Sequence, residues 1–294
     1  MRVGFIGVGA MGWPMAANIA KGDHHLTVFD SDPARLARFV DEVGGRAASG
    51  LAEVADNEVV ITMLPTGAIV RQALLEDDGG AFAAAIRPGL VVVDMSSSEP
   101  AGTVELGPLL AERGAALIDA PVSGAVPRAI AGTLAIMIGA DDEGAVSVAT
   151  PVLLSMGERL FRTGRLGSGH AMKALNNFVA AAGLAAASEA LLIGRRFGLE
   201  GETMVDIWNV STGKNFATEN LMKQEILSER FAGAFTLALM AKDVRIAADL
   251  GEQVGLDAPV SRLVRERFAY ARDTLGGGRD NSAAILAWDE DLKG

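Results

Sequence analysis

The chain has 294 residues, half of them hydrophobic, and a formal net charge of −11. That length exceeds what one core usually serves and points to two domains, while the acidic balance argues against a nucleic-acid surface. Cysteine is absent, which excludes disulfides, thiolate chemistry and Cys-ligated metal, and no apolar run of about 18 residues without charge or glycine suggests a membrane span.

Along the chain, Met1–Ile6 is an apolar segment that runs straight into Gly7, Val8, Gly9, Ala10, Met11 and Gly12, and helix formers follow from Met15 to Ala20. This is the strand, tight turn and helix start that a dinucleotide pyrophosphate requires. Gly7 permits the turn, Gly9 lets the backbone approach the phosphates, Gly12 lets the helix pack on the strand, and the helix N-terminus supplies N–H donors. An opening strand is not a basic segment leading into a signal core, so a cytoplasmic protein is expected. His25–Phe29 reads as the second strand, and Asp30 ends it. A carboxylate there accepts from the adenosine ribose hydroxyls and repels a 2′-phosphate. Ser31 stands where an NADP site more often offers Arg, and Arg35 is the nearest cation. NAD is therefore expected over NADP. Asp32, just before Pro33, competes for the helix cap and leaves Asp30 free.

Further strands are expected at 58–64, 90–94, 115–119, 134–138 and 159–162. They alternate with helical segments, so the fold class is α/β, a Rossmann-type, doubly wound, mostly parallel sheet. This dinucleotide-binding domain is read as residues 1–163. Beyond Gly167 no strand is evident. A long apolar helix is expected over 171–197, then helices at 202–211, 216–228, 235–254 and 259–274, a loop at Gly276–Gly278 and a short tail. Residues 164–294 thus form an all-helical domain for substrate binding and oligomerisation. A helix as apolar as 171–197 is expected to be buried nearly all round, in a core or between subunits, which suggests a homodimer or homotetramer.

Ligands of such sheets sit at the strand ends. Three loops qualify: Met63, Leu64 and Pro65; Asp94 to Ser98, with Ser96 and Ser97; and Asp119 to Ala125. At the domain junction, Gly167-Ser168-Gly169-His170 opens the apolar helix, and Lys173 and Asn177 share one face at i, i+4 spacing. A lysine among Ala, Leu, Phe and Val is costly unless it has a partner or a task. Desolvation readies such an amine for proton transfer near neutral pH; the alternative is that Lys173 snorkels to solvent. Lys242 is a second lysine in apolar surroundings, and Asp243 points about 100° away on a helix, so it is not a natural partner. His24 and His25 read as solvated, and His170 as a capping or supporting group. No spacing typical of a metal site is present.

On these segments the chain resembles the β-hydroxyacid dehydrogenase family, which includes 3-hydroxyisobutyrate dehydrogenases and tartronate semialdehyde reductases. The carriers are Gly7 through Ala16, Asp119-Ala120-Pro121-Val122-Ser123-Gly124, Gly167 through Lys173 and Asn177, and Lys242-Asp243. The resemblance implies that Lys173 is the catalytic acid/base. It implies that Ser123 and Gly124 hold the substrate carboxylate, that Asn177 binds substrate, and that Lys242 lines the site beside the cofactor. Leu64-Pro65 and Ser96-Ser97 would pass along the dinucleotide. One departure stands out: Ala125 replaces a second glycine of the substrate loop. If that position needs positive φ, alanine is strained; if not, its methyl narrows the pocket. Lys214 and Asn215 are further candidates for a polar substrate tail. The implied activity is NAD-dependent interconversion of a small β-hydroxy acid and its semialdehyde. The alternatives are an inactive NAD-binding regulatory or scaffold protein, and an enzyme acting on a sugar acid or an imine; Lys173 disfavours the imine.

Overall fold

Alternation along the apolar runs decides the architecture. In the computed structural model, which describes residues 1–289, Val59 and Ile61 pack into one core and Val60 into another. Successive strand residues face opposite sides, so a strand apolar at every position is one covered on both faces. The chain divides into two units, Met1–Lys173 and Ala174 onward.

The first unit runs β1 (Arg2–Ile6), α1 (Gly12–Ala20), β2 (His25–Phe29), α2 (Pro33–Val43), β3 (Arg46–Ala47), α3 (Leu51–Ala55), β4 (Val59–Thr62), α4 (Gly67–Leu75), α5 (Asp77–Ala85) and β5 (Leu90–Asp94). It continues through α6 (Pro100–Ala111), β6 (Ala115–Asp119), β7 (Val122–Ser123), α7 (Ala125–Ala131), β8 (Leu134–Gly139), α8 (Glu143–Leu153) and β9 (Gly157–Gly164), and it includes the first turns of α9 (Ser168–Phe197). The sheet order is β3-β2-β1-β4-β5-β6-β8-β7, with β9 on β8. Strands β3 to β6 are parallel, and β8 runs antiparallel to β6 and β7. The order reverses between β1 and β4, the switch point at which such sheets bind ligands. Pairing aligns Phe29, Ile6, Thr62, Asp94, Asp119 and Gly139 in one row along the sheet's edge.

The second unit is helical. It holds the rest of α9, then α10 (Gly201–Asn209), α11 (Phe216–Asn220), a π-helical turn at Met222–Leu227, α12 (Leu237–Gln253), α13 (Pro259–Leu275), a 3-10 turn at Asn281–Ala283 and α14 (Ala284–Trp288). Its core lines Ala181, Leu184, Ala187 and Leu191 of α9 with Val205, Met240, Val244 and Phe268.

The structure adds to or departs from the expected elements in four places. The helix read at 216–228 is two pieces, because Glu225 N and Ile226 N both donate to Leu221 O and shift the ladder by one residue. The tail after Gly278 carries α14, held by Trp288 packing edge-on to Phe268 at 5.4 Å; its last residues, 290–294, lie outside the described residues. Strands β3 and β7 are two residues each, too short to show a period. Within the single chain, helix α9 has a core stripe that repeats every three to four residues, while Val179, Ile193 and Phe197 are exposed. Helix α9 is long and apolar enough to cross a membrane, as core helices can be, and its buried stripe belongs to the second unit's core.

Candidate active site

The fingerprint is built from constraints that only glycine meets. Gly7 has φ +97°, and a Cβ there would lie 2.5 Å from Met63 O. A Cβ on Gly12 would lie 1.9 Å from Gly7 O, whereas one on Gly9 would meet nothing within 4 Å. The loop is therefore closed underneath and open above, and no side chain caps α1. An uncapped helix start beneath an open glycine backbone fits a pyrophosphate.

Asp30 is buried at the end of β2. It is free of the α2 cap, as expected, but its oxygens have other partners. Oδ2 accepts from Val8 N at 2.9 Å and Oδ1 from Asp32 N at 2.9 Å and Arg35 Nη1 at 3.0 Å. Asp32 caps α2 as anticipated, accepting from Ala34 N and Arg35 N. Asp30 thus ties the fingerprint loop to β2 and keeps acceptor capacity for a further donor. Ser31 beside it is exposed, as is Arg35.

Met63 and Leu64 are half-buried and Pro65 is exposed after β4. Leu64 N donates to Ser96 Oγ at 2.9 Å, so the fully buried Ser96 straps the β4 loop to the β5 loop, with Ser97 half-buried beside it. Asp94 fixes that loop. Oδ1 accepts from Thr62 Oγ1 at 2.9 Å and Ser96 N at 3.0 Å, and Oδ2 accepts from Ser98 Oγ at 2.8 Å.

Asp119, next in the row, seats α9. Oδ1 accepts from Gly167 N at 2.7 Å and Oδ2 from His170 N at 2.8 Å. A Cβ on Gly139 or Gly169 would lie 2.4 Å or 2.8 Å from those oxygens, so glycine at both positions lets the helix start reach the strand ends. Burial pushes the Asp119 carboxyl above its usual range, against the opposing pull of His170 and the N–H donors. Lys173 follows one turn later and is half-buried.

Ser123 is half-buried on β7, paired with Ala135 of β8. Gly124 has φ +140° and Ala125 φ +54°. The strained alternative for Ala125 is therefore the one realised. The Arg128 stem lies across Gly124.

Within the second unit, Asn177 Nδ2 donates to Asp243 Oδ2 at 2.6 Å, both residues buried. Lys242 Nζ lies 3.5 Å from Asp243 Oδ1, so Asp243 is a partner of Lys242 after all. Angular separation on the helix does not limit a four-carbon stem that can fold back. Asn215 caps α11 through a capping box with Thr218, and Lys214 pairs with Glu219 at 2.9 Å. His25 is exposed, but His24 is half-buried with Nδ1 enclosed. Asp94, Asp119, Asp243 and Thr103 carry roles that sequence reasoning did not assign. The strand-end aspartates were visible as such, but their partners were not.

A family model described as the NAD binding domain of 6-phosphogluconate dehydrogenase matches residues 2–164. Another, described as NAD-binding of NADP-dependent 3-hydroxyisobutyrate dehydrogenase, matches residues 167–288. A 2-(hydroxymethyl)glutarate dehydrogenase from Eubacterium barkeri is 35% identical over 99% of this chain and 95% of its own. A 3-hydroxyisobutyrate dehydrogenase from Pseudomonas aeruginosa is 35% identical over 91% of each. The solved structure of a Mycobacterium tuberculosis 3-hydroxyisobutyrate dehydrogenase with L-serine superposes with a TM-score of 0.89 at 31% identity, covering 98% of both chains. With a dinucleotide cradle in its first unit and relatives matched along nearly its full length, the chain belongs to the β-hydroxyacid dehydrogenase family of NAD(P)-dependent oxidoreductases.

Proposed function

We propose that this chain interconverts a small β-hydroxy acid and its semialdehyde with NAD, and that Lys173 is the general acid–base. The observation that carries this reading is the seat of α9. Asp119 anchors the first turn at the sheet edge, one turn ahead of Lys173, where doubly wound folds bind their ligands.

Bound NAD supplies the two-electron chemistry. In oxidation, neutral Lys173 Nζ takes the proton of the substrate hydroxyl; in reduction, the ammonium returns it. Ser123, through its hydroxyl, and Gly124, through its backbone N–H, hold the substrate carboxylate, with Ala125 shaping the loop. Asn177, oriented by Asp243, binds substrate, and Lys242 contributes positive charge beside the cofactor. Gly7 to Gly12 cradle the pyrophosphate and Asp30 serves the ribose, while Ser31, Met63 to Pro65, Ser96 and Ser97 border the dinucleotide. Residues 1–163 form the dinucleotide domain and 164–294 the substrate side. A cytoplasmic homodimer or homotetramer completes the reading, supported by the exposed Val179, Ile193 and Phe197. Relatives named for 2-(hydroxymethyl)glutarate and 3-hydroxyisobutyrate support a short hydroxy acid as substrate.

The test is Lys173→Ala with a panel of short hydroxy acids followed by NADH absorbance. We expect NAD binding to persist and turnover to fall about 10²- to 10⁴-fold. Undiminished turnover removes Lys173 from the mechanism. Tight NAD binding by the native chain with no turnover on any member of the panel would favour the inactive scaffold.

A further inference from the structure

His170 lies three residues before Lys173 on α9 and is 1% exposed. Its ring is enclosed by α6 and the ends of β5 and β6. Nδ1 is 2.8 Å from Thr103 Oγ1. The other contact of the Thr103 hydroxyl, to Glu99 O, is longer at 3.2 Å, and Nε2 faces a carboxylate, so the hydroxyl donates to Nδ1 and the ring's own proton stands on Nε2. This network assigns the ring's tautomer.

The other ring nitrogen is different. Nε2 is buried and has no hydrogen-bond partner, yet it lies 3.7 Å from Asp94 Oδ2. Asp94 Oδ1 is occupied by Thr62 and Ser96 and Oδ2 by Ser98, which leaves Oδ2 a lone pair for one more donor. Asp119 Oδ2, on the opposite side, is 3.9 Å from Nδ1 and already accepts the His170 backbone N–H. The ring therefore stands between two carboxylates, hydrogen-bonded by its side chain to neither, with a gap of roughly one ångström separating Nε2 from an ordinary hydrogen bond to Asp94. Buried polar atoms left unpaired are uncommon, and each calls for a physical cause, a catalytic role among them. Hydrogen bonds that support catalysis are often long before ligands bind and tighten afterwards.

We propose that His170 is a positioning residue: by closing Nε2 onto Asp94 it couples the loop that carries Ser96 and Ser97 to the turn of α9 that carries Lys173. The contact ties occupancy of the dinucleotide loop to the placement of the amine. His170 touches neither substrate nor cofactor and acts through Lys173, so the inference rests on the acid–base reading above.

Amide isosteres separate the two ring nitrogens. His170→Gln places an amide nitrogen at the reach of Nε2, and His170→Asn places one at the reach of Nδ1 only. Each is measured for kcat, for KM of the hydroxy acid, for NAD affinity by tryptophan fluorescence and for melting temperature, alone and combined with Lys173→Ala. We expect Asn to lower kcat by on the order of 100-fold, the cost of a misplaced reacting group, with KM changed far less, and Gln to recover most of that loss. We also expect Asn combined with Lys173→Ala to be no slower than Lys173→Ala alone, as for groups that act as one unit. An Asn variant with native kcat, or a Gln variant as slow as Asn, overturns the proposal. Additive losses in the combined variant overturn it as well, because His170 would then act independently of Lys173. Full turnover by Lys173→Ala alone is a separate result and sinks the acid–base reading itself.

Discussion

Ala125 holds a backbone conformation that L-residues avoid, φ +54°, immediately after Gly124 at φ +140°. The left-handed region costs a residue with a Cβ about 1–2 kcal/mol. Glycine would remove that strain but add about 0.4–1 kcal/mol of unfolded-state entropy. Strain is the larger quantity, so Ala125→Gly should stabilise by up to about 1 kcal/mol, a rise of roughly 2–4 °C in melting temperature. Ala125→Val should move the other way and further, because a β-branched side chain tolerates positive φ least. Calorimetry of both variants checks this; an Ala125→Gly melt below the native one would remove strain from the account.

At the scale of elements, the decisive joint is α9 on the sheet. The Asp119 carboxyl accepts two N–H groups of that helix start, and Asp119→Asn keeps an acceptor for only one. The orphaned N–H should cost about 1–3 kcal/mol. Burial raises the Asp119 pKa above its ordinary 3.8, so over the interval between the unfolded and folded values the native state binds more proton than the unfolded one. Stability from Asp119 is then fully present below the unfolded value and lost as pH rises through the folded one. The deficit of Asp119→Asn relative to the native chain should therefore shrink as pH rises above the ordinary 3.8 in urea titrations, and a deficit that grows with pH there would reverse the assignment. The same joint marks the limit of what sequence carries. The glycine fingerprint, the strand runs and the opening of α9 were legible because each depends on neighbouring residues: Gly7 on its own φ, Lys173 and Asn177 on helix spacing. The ring of Asp94, Thr103, Asp119 and His170 was not, because its members come from four separate stretches and each alone reads as a strand end or a helix turn. Asp243 was set aside on angular grounds, although the lysine stem reaches it. The φ of Ala125 was undecidable, since the residue type alone does not say which backbone conformation the loop imposes on it.

At the scale of the whole molecule, charge opposes the proposed ligands. The chain carries a net −11, and both a dinucleotide and a hydroxy acid are anions, so the long-range field repels what the site is proposed to bind. In the proposed reading the opposing local attraction comes from the site's lysines, chiefly Lys242 beside Asp243, and the two effects act over different distances. At 0.01 M salt the Debye length is about 30 Å, so the summed negative charge reaches an approaching anion first; at about 0.15 M it is about 8 Å, and only nearby lysines still act; at 1 M it is about 3 Å, and their attraction is screened too. The kcat/KM for the hydroxy acid should therefore pass through a maximum with ionic strength, rising several-fold from the lowest salt and falling again toward 1 M. Steady-state kinetics across a sodium chloride series reads this directly, with Lys242→Met as the control expected to flatten the falling limb. A monotonic fall from the lowest salt would mean that the lysines dominate at every distance and that the net charge of the chain is irrelevant to capture.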